Sequence, residues 1–290
     1  MLMMAETTRA AQRHRLLQIE QLEDRLLLAG DVTVIYFAVG AGPFAAGDLV
    51  IQNDLDVNDG PSVGDQDVTV EILPTGQISL TSAAGDNFDV LVFAGGPPIQ
   101  VADDVASFVS PVPLPGINNL YANSVPLIPD FETGADNLTL VNVATAGDLS
   151  IEGTAEANVV ALDSVDVGGN LTIDTFAGND GVILSDSSVA DDAMVDLGDG
   201  KDLLRATYNV FGDNAGPFEN LTFDMGAGND LLEYGGNVFF NTGVVLVDGG
   251  AGHDRQDWIH GTPDDQYVNT SPSLPNWEHF DPADDSPTGV

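Results

Sequence analysis

What most constrains this chain is a unit that returns at nearly even intervals through its second half. Short runs open on Asn or Asp followed by Leu, as in Asp148-Leu149-Ser150-Ile151, Asn170-Leu171-Thr172-Ile173 and Asn220-Leu221-Thr222-Phe223, and equivalent runs start at Ala193 and Val244. A second element keeps its phase within each unit: Ala177-Gly178-Asn179-Asp180, Gly198-Asp199-Gly200-Lys201-Asp202, Gly226-Ala227-Gly228-Asn229-Asp230 and Gly250-Ala251-Gly252-His253-Asp254. The closing Asp of each, at Asp180, Asp202, Asp230 and Asp254, keeps an almost constant distance from the run starts at Asn170, Ala193, Asn220 and Val244, although the units differ in length. Fixed phase with variable length stacks the turns on one edge and lets extra residues bulge elsewhere. One unit cannot bury its apolar face alone, whereas stacked neighbours can. The expected fold is all-β, a right-handed parallel β-helix or β-solenoid.

The rest of the chain is read around that stack. Residues 31–136 hold short β-rich runs such as Val32-Thr33-Val34-Ile35-Tyr36-Phe37, Asp48-Leu49-Val50-Ile51 and Gln77-Ile78-Ser79-Leu80, with poorer periodicity, and are expected to continue the solenoid. Residues 137–262 form the solenoid with its Gly-x-Gly-x-Asp turns, and residues 263–290 an acidic, Pro-rich tail that is extended or disordered. Residues 1–30 stand apart from the fold as a targeting segment. Within them Leu16, Leu17, Ile19, Leu22, Leu26 and Leu27 fall near a helical period, which predicts a short amphipathic helix. Charges at Glu20, Glu23, Asp24 and Arg25 interrupt what would otherwise be the apolar run of a signal peptide.

Charge narrows the function. The chain carries 46 acidic and 7 basic residues, a net −39, and four of the Arg precede Asp31. Lys201, Arg205 and Arg255 are the only Lys or Arg thereafter. A body this acidic repels phosphate backbones and anionic headgroups, so nucleic acid is not an expected partner. Cations are. There is no cysteine, hence no disulfide and no thiolate site. No uninterrupted apolar run reaches the ~18–20 residues a spanning helix needs.

The Gly-x-Gly-x-Asp turn offers what Ca2+ takes: a hard cation wants about six to eight oxygens, and Gly lets the backbone curl so that carbonyls converge beside the Asp carboxylate. The candidate metal residues are Gly178, Asn179, Asp180, Gly198, Gly200, Asp202, Gly226, Gly228, Asp230, Gly250, Gly252 and Asp254, giving at most three sites between successive coils. The same turns also suit a metal-free β-helix, where Gly supplies positive φ and Asn or Asp bonds locally.

Two resemblances bear on this. The turns from Gly198 to Leu204 and from Gly226 to Leu232 resemble the hemolysin-type (RTX) calcium-binding repeat, and Gly249 to Asp254 matches its six leading positions, with Gln256 where an apolar residue belongs. That likeness implies calcium binding, although those repeats run in tandem nine-residue units and these occur once per coil. The segment from Gln21 to Val32, QLEDRLLLAGDV, resembles the LEPR-XLL motif near the N-terminus of planctomycete extracellular proteins, with Asp24 in place of Pro. It implies export, to secretion or the cell surface; an ordinary amphipathic capping helix is the other reading.

The combined expectation is a non-catalytic, calcium-binding structural, adhesion or surface module, with surface polysaccharide or other surface proteins as partners. The alternatives are a secreted carbohydrate-active β-helix, lyase or glycosidase, and a metal-independent structural β-helix. Acidic pairs such as Asp103-Asp104 and Asp191-Asp192 are too common here to mark a glycosidase, and a lyase would have to draw its cation from Lys201, Arg205 or Arg255. His14, His253, His260 and His279 have no zinc spacing. Trp258 and Trp277 are expected to close the last coil, and the sequons at Asn137, Asn170 and Asn220 fall on strand starts and read as repeat chemistry.

Overall fold

The computed structural model describes residues 32–41, 44–53, 66–82, 88–95, 99–122, 136–212, 220–240, 244–258, 266–268, 272–273 and 279–280. The expected N-terminal helix and most of the tail, Trp277 included, lie outside the described residues. Every element within them is a strand, as the repeat implied.

Each coil visits three ladders in turn, and from the coil that begins at Leu171 a fourth. In the coil that begins at Leu171, Leu171–Asp174 lies in an eleven-stranded sheet, Ala177–Gly178 in a four-stranded ladder at the Gly turn, Gly181–Ser185 in a ten-stranded sheet and Ser188–Val189 in a six-stranded one. The next coil repeats the order one strand further along, and every pairing in the eleven-stranded sheet from Leu149–Glu152 onward is parallel. The β-solenoid has about five such turns.

Register explains why these residues form these strands. Leu171 pairs with Ala193, Ala193 with Leu221 and Leu221 with Val245. Alternate residues point inward, so Leu171, Ile173, Val195, Leu221, Phe223 and Val245 are buried while Thr172, Asp174 and Asp224 are half-buried. The ten-stranded sheet does the same with Val160, Val182, Leu204 and Leu232. Together they form one continuous core down the axis, in which Phe211 stacks on Phe239 at 5.6 Å and meets Phe223 edge-on.

The inter-coil bonding sets the coil lengths at 22, 22, 28 and 24 residues. Asp192, not Ala193, is in register with Asn170 and Asn220, since it takes their place in the inter-coil bonding. With that shift, the closing Asp follows its strand by the same interval in every coil. The extra residues of the longer coils fall in the return to the eleven-stranded sheet, between Gly212 and Asn220 and between Phe240 and Val244.

The N-terminal region extends the same sheets. Leu49–Asn53 pairs in parallel with Leu120–Ala122, which pairs with Leu149–Glu152, while Gln66–Ile72 pairs with Asp136–Val141. Antiparallel partners then close that end: Val32–Phe37 against Leu49–Asn53, Ile78–Thr81 against Gln66–Ile72, and Ile99–Val105 against Phe88–Phe93. Phe37, Phe44 and Phe93 stack on the outer face of this part, so Val32–Phe37 is buried throughout.

Among the described residues no helix is long and apolar enough to cross a membrane.

Candidate cation column at the Gly turns

The Gly turn is tight because the coils touch through their backbones. A Cβ added at Gly200 would lie 1.7 Å from the Gly178 carbonyl oxygen, and one at Gly228 only 1.5 Å from that of Gly200. Gly198, Gly226 and Gly250 stand in a second such column and also have φ between 74° and 79°. The carbonyls of Gly198 and Gly226 accept the amides of Ala227 and Ala251 in the next coil, both at 2.9 Å. The stack thus requires the glycines on its own account, whereas the sequence reading assigned them to curling carbonyls toward a cation.

An acid the sequence reading missed starts each turn. The carboxylates of Asp174, Asp196, Asp224 and Asp248 accept the amides of Phe176, Gly198, Gly226 and Gly250 at 2.9–3.1 Å. The unit is therefore Asp-x-Gly-x-Gly-x-Asp, with Phe176 in place of the first Gly in the turn that begins at Asp174, and an Asp six positions before each closing Asp was the available signal. These acids stack in register behind Glu152. Burial, then the charges of Asp174 and Asp224, pushes the Asp196 carboxyl up.

The closing acids point the other way, into the coil. Asp180, Asp202, Asp230 and Asp254 are only 1–3% exposed. Each Oδ1 accepts the amide of the equivalent residue one coil earlier: Asn158 to Asp180 at 2.6 Å, Asp180 to Asp202 at 2.7 Å, Asp202 to Asp230 at 2.8 Å and Asp230 to Asp254 at 3.0 Å. Each Oδ2 is buried with no hydrogen-bond partner. Coils are about 4.8 Å apart, and two carboxylates at that spacing repel by roughly 3 kcal/mol at an effective dielectric of about 20. Burial accordingly pushes Asp202 up to about 7 and Asp230 up to about 6, the neighbouring acids adding to it. Asp180 is raised by burial as well.

The coil before them shows what belongs at that place. Asn158 occupies the same column, and its Nδ2 donates to the carbonyls of Thr154 at 3.0 Å and Glu156 at 2.7 Å. Its Oδ1 accepts the Thr154 amide and hydroxyl, so both side-chain atoms of Asn158 have partners. In the following coils Phe176 and Gly178, Gly198 and Gly200, Gly226 and Gly228, and Gly250 and Gly252 take the places of Thr154 and Glu156, and a carboxylate oxygen replaces the amide. A buried carboxylate oxygen without a donor calls for a cation or a proton. The residues present thus fit a hard cation lodged between coils, held by successive Asp carboxylates with turn carbonyls beside them. Among the described residues no three acidic or imidazole side chains converge on one point; the carboxylates are strung along the axis.

Elsewhere the fold builds neutral ladders. At the corner before the six-stranded sheet, Asn209 Oδ1 accepts the Ser187 amide and Asn237 Oδ1 the Asn209 amide, while both Nδ2 groups donate to backbone carbonyls. At the head of the eleven-stranded sheet, Asp and Asn alternate in six successive positions, Asp48, Asn119, Asp148, Asn170, Asp192 and Asn220. Each Asn donates its Nδ2 to the Asp before it, so charges sit two coils apart. Asn170 and Asn220 thus serve the stack.

Asn179, the remaining candidate metal residue, does not join the column. Asn179 and Asn229 are on the outside, accepting the amides of Lys201 and His253. Arg205 pairs with Glu233 and Arg255 with Asp257 on the outer face of the ten-stranded sheet. Those pairs occupy two of the three cations available to a lyase. Compared with protein-family models, curated proteins and solved structures, the chain matches none.

Proposed function

We propose that this protein is a non-catalytic, calcium-binding β-solenoid that serves outside the cell as a structural, adhesion or surface module. The observation that carries the reading is the run of four consecutive buried Asp whose second oxygens have no donor. The same fold uses Asn where a neutral ladder suffices and alternates Asp with Asn where charge must be spread. Four acids in succession are a costly choice unless a cation sits among them, because an unpaired buried charge costs several kcal/mol. Ca2+ would supply the missing charge between coils, so its binding free energy would add to that of the stack. The acidic exterior and the leader's likeness to LEPR-XLL sequences support an extracellular setting, where calcium is abundant.

Calorimetric titration of Ca2+ into chelator-treated protein tests it, with Asp202→Asn and Asp230→Asn as variants and Mg2+ as control. Heat of binding that both substitutions reduce, with a higher thermal midpoint in the wild type, is the expected result. No binding up to millimolar Ca2+ would overturn it.

A second reading is a metal-independent β-helix whose column is neutralised by protons. It is favoured by one observation: every Oδ1 already accepts an inter-coil amide, as the Asn ladders do. It predicts full stability at mildly acid pH in chelator and no gain from Ca2+ at pH 8.

A further inference from the structure

Five buried side-chain oxygens among the described residues have no hydrogen-bond partner. Four belong to the Asp column, and the fifth is Oε1 of Gln256. Gln256 lies two positions after Asp254 in the strand Arg255–Trp258, and both side chains are buried, at 2% and 1% exposed. Its equivalents in earlier coils are apolar: Gln256 pairs with Leu232, Leu232 with Leu204, Leu204 with Val182 and Val182 with Val160. A Leu here would continue the core. Instead the last coil of the column places an amide in an apolar wall, its oxygen without a donor, which is unfavourable unless something fills that role.

Resting on the calcium reading above, we infer that Gln256 is a ligand residue of the column and supplies the oxygen that completes its C-terminal site. Asp254 is the last carboxylate of the column among the described residues, so the cation next to it has fewer acids to share than those between Asp180 and Asp230. A neutral amide oxygen is a suitable ligand for Ca2+ and adds no charge to a crowded column. The position that departs from the repeat pattern then has a use. The end of the stack is where the pattern of shared acids runs out.

The test is Ca2+ titration by calorimetry on the full chain, comparing wild type with Gln256→Leu and Gln256→Glu, together with urea unfolding in chelator. Gln256→Leu is expected to lose one bound ion, or to weaken the weakest site at least tenfold, and to be more stable than wild type without Ca2+ because the orphan oxygen is gone. Gln256→Glu keeps the ligand and the shape; it should bind Ca2+ at least as tightly and be less stable in chelator. Wild-type binding unchanged in number and affinity by Gln256→Leu would overturn this inference and leave the column standing. Absence of Ca2+ binding by the wild type would overturn both.

Discussion

Replacing Asp202 with Asn should stabilise the calcium-free protein. The substitution keeps Oδ1 as acceptor for the Asp180 amide, which it now meets at 2.7 Å. It replaces the partnerless Oδ2 with an amide, as Asn158 already has in the first coil of the column. It also removes the charge between Asp180 and Asp230. The size of the effect follows from linkage. An Asp carboxyl at its ordinary value near 4 in the unfolded chain is pushed up to about 7 in the fold, mainly by burial. Folding then takes up a proton between those values, so the folded state is fully favoured below about pH 4, loses ground as pH rises, and carries the whole penalty above about 7. At about 1.4 kcal/mol per unit the ceiling is roughly 4 kcal/mol. Urea unfolding followed by far-UV circular dichroism in chelator should show Asp202→Asn more stable by up to that amount at pH 8 and nearly equal at pH 4. In saturating Ca2+ the order should reverse. A variant less stable than wild type at pH 8 in chelator would mean that Oδ2 of Asp202 has a donor in the folded protein, and would refute the cation column.

Other outcomes follow from the same geometry. In chelator the wild-type thermal midpoint should fall as pH rises from about 4 to 7, because Asp180, Asp202 and Asp230 are all raised, and Asp202→Asn with Asp230→Asn should flatten the profile; a midpoint that rises over that range would contradict it. Gly200→Ala should cost more than about 3 kcal/mol, since its Cβ would sit 1.7 Å from a backbone oxygen, whereas Gly181→Ala meets nothing closer than 3.8 Å and should be mild; equal midpoints for the two would refute the stack. Asn209→Ala removes the acceptor of the Ser187 amide and the donor to the Leu184 carbonyl, and should cost about 1–3 kcal/mol by urea unfolding in either presence or absence of Ca2+.

The fold was legible because the repeat states its own register. Leu-Thr-Ile and Val-Ile-Leu runs at one spacing, each followed by a Gly turn, leave little else to build. What the letters hid were features carried by short or scattered residues. The six-stranded sheet is made of two- and three-residue strands such as Ala144–Thr145 and Ser188–Val189, too short to show a period. The alternating ladder joins Asp48 to Asn119 and Asp148 across stretches of very different length, so no spacing marks it. The letters place the third coil one position late, because Ala193 stands where the others carry Leu or Val. At the candidate site the Gly-x-Gly-x-Asp letters mark the turn but not what each residue does in the stack. The glycines answer to carbonyls one coil away, Asn179 faces outward, and the closing acids turn inward, which only the stack determines.

The most direct test of the cation column is diffraction from crystals grown in Ca2+, with data collected to record the anomalous signal of calcium. Peaks are expected between successive coils beside Oδ2 of Asp180, Asp202, Asp230 and Asp254. A map with no peak there, at a pH where these acids are ionised, would contradict it and leave a proton-neutralised β-helix.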